Sequence, residues 1–234
     1  MTRLARQPGD DINLRSRAQM LEYAAIADRV AQDTRGPVLD WGCGFGQLID
    51  LLERRGVSAR GLEFDPDISK TTEVALERFP HLTAVLTDDP IALPYASESF
   101  DAVLSCGVLE HVEDPEASVD EIRRVLHAGG TFYVFKLPNR YSYLERVAKI
   151  AGGYYHGAWE HDRVYTERSA CELLHRHGFE VLEVRRANVL PLTLPGTFGD
   201  RIGGALWGAN RLLSRIPPLR AVATNIELTA RKPR

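Results

Sequence analysis

The residues with the plainest chemical purpose form the run Asp40-Trp41-Gly42-Cys43-Gly44-Phe45-Gly46. Glycines at alternate positions let a backbone turn sharply and come close to a bound molecule, because no side chain stands between them. Such a turn serves either as a bare strand-to-helix connection or as a ligand seat. A dinucleotide fingerprint would place a glycine three residues beyond Gly44, where this chain has Gln47, so a pyrophosphate cradle is disfavoured. Further on, Gly61-Leu62-Glu63-Phe64-Asp65 puts Glu63 where the next strand should end. A carboxylate at that point can accept hydrogen bonds from both hydroxyls of a ribose. The glycine loop and the strand-end acid together point to a ligand that carries a nucleoside.

The elements that must hold these residues follow from periodicity. Apolar residues between Ile12 and Asp33 recur at helical spacing and predict an amphipathic helix before the first strand, Pro37 to Asp40. After the glycine loop come a helix from Gln47 to Arg55, a strand Ala59–Phe64, a helix Pro66–Arg78 and a strand Leu82–Leu86. A strand Phe100–Ser105, a helix Pro115–Leu126 and a strand Thr131–Lys136 continue the alternation, which argues for parallel pairing through right-handed crossovers. Beyond Leu137-Pro138-Asn139 the pattern loosens until a helix Thr166–His177 and a strand Phe179–Val189. A helical stretch from about Asp200 to Arg215 and a last strand Ala221–Ala230 complete the reading. One α/β domain over residues 1–234 is expected, with an N-terminal helical cap at 1–35 and elaborations at 139–165 and 190–217.

Composition narrows the field. With 44% hydrophobic residues the chain can bury a core, and a formal charge of −3 with interspersed signs offers no basic field for nucleic acid. Cys43, Cys106 and Cys171 stand far apart without C-x-x-C pairing, so reduced thiols and a cytoplasmic location are expected. No apolar run is long enough to span a bilayer.

A third segment, Thr87-Asp88-Asp89-Pro90-Ile91-Ala92-Leu93-Pro94-Tyr95, is followed by Ser99-Phe100-Asp101-Ala102-Val103. With Leu109-Glu110-His111-Val112 and Leu126-His127-Ala128-Gly129-Gly130, these motifs make the first 140 residues resemble the class I S-adenosylmethionine-dependent methyltransferases. The likeness is to the small-molecule branch that includes the quinone-biosynthesis O-methyltransferases. It implies a Rossmann-like, doubly wound sheet of seven strands in the order 3-2-1-4-5-7-6, mostly parallel, with an antiparallel last strand and helices on both faces. It also implies S-adenosylmethionine as cofactor and S-adenosylhomocysteine as product. Asp40 would orient the loop, the backbone of Gly42, Gly44 and Gly46 would receive the methionine part, and Glu63 would take the ribose hydroxyls. Phe64 would lie on the adenine and Asp89, or its neighbour Asp88, would accept from the adenine amino group; Cys106 would stand beside the methionine moiety or be an inert buried thiol.

A sulfonium methyl group is already activated, so the protein's task is alignment and removal of a proton from a hydroxyl or ammonium acceptor. Of seven histidines, His111 is the first candidate for that base, with His156 and His161 next; each could equally shape a loop. Some relatives hold a divalent metal through Glu-x-x-Glu-His, but Gly107 stands at the first of those positions, so no metal is expected. The acceptor is expected to be a small organic molecule received by the N-terminal helix and the two elaborations, and the resemblance implies oxygen ahead of nitrogen or carbon as the methylated atom. The 190–217 segment reads as a packing helix, with a lid or a lipid-touching surface as the alternative.

Overall fold

The computed structural model describes residues 16–152, 161–192 and 196–234. Helix α1 (Arg17–Asp33) is capped by Ser16 and buries Ala18, Tyr23, Ile26, Ala27 and Val30 along one stripe. Strand β1 (Val38–Trp41) is buried at every position, as a central parallel strand covered on both faces must be. Then follow α2 (Gln47–Glu53), β2 (Ala59–Glu63), α3 (Pro66–Arg78), β3 (Ala84–Leu86), β4 (Phe100–Cys106) and α4 (Pro115–Val125). The second half contains β5 (Leu126–Pro138), α5 (Tyr143–Ile150), α6 (Glu167–Arg176), β6 (Glu180–Ala187), α7 (Gly196–Leu213), α8 (Pro217–Ala221) and β7 (Asn225–Arg231).

The seven strands form one sheet in the order β3-β2-β1-β4-β5-β7-β6, with β7 antiparallel to both β5 and β6, as the family likeness implied. One apolar cluster, with Phe132, Val134, Leu173 and Ile122, fills the α4–α6 side. A second, with Tyr133, Phe135, Ile26 and Leu48, fills the α1–α2 side. Because β1 and β4 sit at the centre, their carboxyl ends, Trp41 and Cys106, open toward the same edge, where ligands of doubly wound sheets bind.

Two strand starts and one helix differ most from expectation. Strand β5 runs from Leu126 rather than Thr131, because Gly129 (φ 83°) bulges inside an extended run instead of opening it. The last strand begins at Asn225, not Ala221, since Pro217 starts the short helix α8. Helix α5 was not visible in the residue pattern; Ser142 caps it by accepting from Glu145 N at 3.2 Å, and none of its residues is buried.

At the end of α6, Thr166 caps the start and His177 closes the other end. The His177 ring bridges Asp120 at 2.6 Å and Glu116, both on α4. Burial opposes its charge, but the bonds to Glu116 and Asp120 prevail and raise its pKa above the usual imidazole value. A raised histidine stabilises the fold fully below the unfolded value of about 6.5 and loses that contribution as pH rises through the folded value. His177→Gln should therefore lower Tm at about pH 5.5 and leave it nearly unchanged at about pH 9. Equal losses at both pH values, read by thermal melts, would refute the ionic role.

Candidate functional site

The turn after β1 is built on left-handed glycines, with φ of 73° at Gly42, 52° at Gly44 and 73° at Gly46. The amides of Gly42 and Cys43 both donate to the Leu62 carbonyl, at 2.8 and 3.0 Å, which ties the turn to the end of β2. A Cβ on Gly42 would lie 2.5 Å from Val108, so this glycine is required by close packing as well as by φ. A Cβ on Gly44 would meet nothing within 4 Å; the loop faces open space there.

Glu63 is 2% exposed, and its carboxylate fastens the turn from below. Oε2 accepts from Gly44 N at 2.8 Å, and Oε1 accepts from Phe64 N and Asp65 N at 2.9 and 3.0 Å. Burial raises its pKa, against the lowering effect of those three backbone donors. Asp40, equally buried, is pushed up to about 7 by burial and by the Glu63 charge. Two buried acids beneath one loop favour a cation over an anion in front of it.

Phe64 is partly buried, its ring tilted 5.6 Å from the Trp41 ring. Asp89 lies exposed, and its Oδ1 accepts from Ile91 N and Ala92 N at 2.9 Å each, which holds its carboxyl below the usual range. Asp88 is exposed as well. Cys106 ends β4 beside Lys136, and burial pushes its thiol up.

The loop after β4 carries His111, whose amide donates to Val108 O at 2.9 Å. Its Nδ1 lies 2.8 Å from Asp162 Oδ1; the imidazole is 37% exposed and the carboxylate 2%. Arg163 bonds the carbonyls of Val112 and Glu113, the latter at 2.7 Å, and Arg163 N donates to Glu110 O at 2.9 Å. These bonds hold Asp162 against His111. Of the other candidate bases, His161 is exposed and His156 lies outside the described residues. Gly107 has φ of 74°, a backbone shape that suits glycine better than any acidic ligand.

Asp162 was not foreseeable from spacing, because it stands 51 positions from His111. A second group, at the end of β5, was equally hidden. Lys136 adopts φ of 59°, places Nζ 3.2 Å from Glu22 of α1 and covers the Tyr23 ring at 4.1 Å. The only sequence sign of it was a lysine at the carboxyl end of a core strand. A cavity of about 860 Å3 lies between α1, β6, β7 and α7, lined among others by Glu22, Ile26, Arg29, Trp207 and Glu227. No residue of the glycine loop lines it.

Residues 39–134 match the family model described as a methyltransferase domain. This segment is a methyltransferase domain. The chain is 32% identical over 105 residues to the ubiquinone biosynthesis O-methyltransferase of Xylella fastidiosa, covering 42% of this chain and 40% of that one. It is 26% identical over 125 residues to norajmaline N-methyltransferase of Rauvolfia serpentina, covering 52% and 42%. The chain thus spans about two fifths of the length of these curated relatives. In fold, the methyltransferase domain and its surroundings are similar to a possible histamine N-methyltransferase from Thermotoga maritima, with a TM-score of 0.64, 16% identity, and 95% and 91% of the two chains covered. A Burkholderia thailandensis 1,6-didemethyltoxoflavin-N1-methyltransferase solved with S-adenosylhomocysteine gives a TM-score of 0.60 at 18% identity, covering 97% and 83%.

The Burkholderia thailandensis neighbour holds S-adenosylhomocysteine, the demethylated form of S-adenosylmethionine. The residues present fit that group on three counts. Space is open in front of Gly44, two buried acids face a ligand that carries a sulfonium charge, and Trp41 Nε1 and Gln47 Oε1, on either side of the glycine loop, are buried without a hydrogen-bond partner among the described residues.

Proposed function

We propose that this chain transfers the methyl group of S-adenosylmethionine to an oxygen of a small organic acceptor, with His111 as the base. The observation that carries the reading is the His111–Asp162 pair, a half-exposed imidazole held through Nδ1 by a buried carboxylate. A carboxylate on Nδ1 favours the tautomer whose lone pair sits on Nε2, 3.9 Å from Glu110 Oε1, and both carboxylates stabilise the imidazolium once formed. In this reading the bound cofactor supplies a methyl group already activated as a sulfonium. Gly42, Gly44 and Gly46 admit its methionine part to the backbone, and Asp40 orients the loop from beneath. Glu63 offers its remaining lone pairs to the ribose hydroxyls, since a carboxylate has about four acceptor sites and three are used within the fold. Phe64 and Asp89 serve the adenine, the latter through Oδ2, and Cys106 lies on the methionine side.

In this reading the acceptor is received by α1 and by the described parts of the segments 139–165 and 190–217. Oxygen is favoured over nitrogen by the likeness to an O-methyltransferase over the cofactor half of the chain. Three free cysteines support a cytoplasmic location.

Incubation with methyl-labelled S-adenosylmethionine and a panel of phenols, catechols, amines and carbon acids tests the proposal. Labelled methyl ethers are the expected products. N-methyl or C-methyl products alone would overturn the oxygen assignment. Cofactor binding by calorimetry without turnover of any acceptor would recast the chain as a cofactor-binding protein that does no chemistry.

A further inference from the structure

Beyond the reaction, the segments around α5 and α7–α8 share an unusual surface. Five of the large apolar side chains most open to solvent lie there: Tyr141, Val147, Ile150 (87% exposed), Leu212 and Ile216. Helix α5 is amphipathic in sequence, yet none of its residues is buried among the described residues. The same segments, 139–152 and 196–221, hold seven basic residues against two acidic ones in a chain of net charge −3. Arg211, Arg215 and Arg220 are exposed at the rim of the cavity beside α1, whose lining also holds Glu22, Asp28, Asp33, Glu183 and Glu227, and form no ion pair among the described residues. The two segments meet in the fold, because Tyr143 N donates to Val222 O at 3.3 Å and Asn139 Nδ2 to Ala223 O at 2.7 Å. They sit where β5 ends and β7 begins, next to the end of the sheet that carries the site.

We propose that this face docks on an anionic phospholipid membrane. Exposed apolar side chains interleaved with arginine and lysine match a surface that offers phosphate outside and acyl chains beneath. A second copy of the chain is a poorer occupant, because the face would meet its own positive charge. Nucleic acid would use the arginines but gives the exposed Ile150 and Leu212 nothing to bury against. The proposal stands without the catalytic reading, since it uses neither His111 nor the cofactor loop.

Co-sedimentation with vesicles tests it. Phosphatidylcholine vesicles containing about 30% phosphatidylglycerol should bind the full chain at least ~10-fold more strongly than phosphatidylcholine alone, and binding should fall as salt rises. The double substitution Ile150→Glu and Leu212→Glu should reduce partitioning at least ~10-fold while calorimetric affinity for S-adenosylhomocysteine is kept, which shows that the domain is folded. Replacing Arg211 and Arg215 with glutamine should weaken binding to anionic vesicles alone. Equal partitioning to both vesicle types, or unchanged partitioning of the Ile150/Leu212 variant, would overturn the proposal. So would a concentration-dependent dimer that the same variant abolishes, since it would assign the face to a second copy.

Discussion

His111→Ala is expected to lower kcat by a factor of about 10² to 10⁴, the usual contribution of a positioned general base, with cofactor affinity unchanged. The imidazole is 37% exposed and close to no part of the glycine loop in its hydrogen bonds, so its loss removes a proton acceptor without unseating the cofactor. Asp162→Asn separates positioning from support of the fold. An amide at that place can offer its N–H₂ to Nδ1 and stabilise the wrong tautomer, so kcat should fall about tenfold or more while the KM for the acceptor holds. A purely structural Asp162 would instead lower Tm and disturb kcat and KM together, because Arg163 and the 110–113 loop would move with it. Turnover of an identified acceptor within a few fold of the unaltered enzyme in His111→Ala would remove this residue as the base.

Glu63→Ala should have the next largest effect, a loss of cofactor affinity of about 10²-fold or more, since two charged hydrogen bonds at roughly 1.5–3 kcal/mol each are removed. The fold should also weaken, because the amides of Gly44, Phe64 and Asp65 lose their acceptor at a buried turn. Glu63→Gln distinguishes the two effects. Its carbonyl oxygen can still serve the Phe64 and Asp65 amides, but its N–H₂ would face Gly44 N–H, donor against donor. Stability should return in part while affinity remains low, measured by thermal melts and calorimetry on the same samples. Asp40 adds a pH signature of its own. Its pKa of about 7 means that the folded state holds a proton which the unfolded chain gives up near pH 4, so its contribution to stability is present at low pH and lost as pH rises toward 7.

The cofactor half of the molecule was legible in the sequence because its physical demands are local. Left-handed turns call for glycine at Gly42 and Gly44, a ribose calls for an acid where β2 ends, and both requirements fall within about twenty residues of one another. Alternating strands and helices likewise gave the sheet. The acceptor side was not legible, since it is assembled from positions distant in the chain. His111 meets Asp162 across 51 residues, and Lys136 of β5 meets Glu22 and Tyr23 of α1. Nor do short-range patterns reveal α5, whose apolar residues face outward rather than into a core. The boundaries of β5 and β7 slipped for a related reason: Gly129 and Pro217 are punctuation marks whose meaning, bulge or stop, depends on the neighbouring strand.

The place of β7 between β5 and β6 sets a timetable for the growing chain. Strand β6 is synthesised before β7, its partner among the described strands, exists, and the outer edge of β5, a strand of thirteen residues, stays bare in the meantime. At ribosomal rates of 5–20 residues per second, the stretch between Ala187 and Asn225 takes about two to seven seconds to appear. For that interval the nascent protein offers an unpaired strand edge to its surroundings, the situation in which strands of different chains join. The last strand therefore does more than complete a sheet: its arrival closes the interval in which that edge can capture another chain.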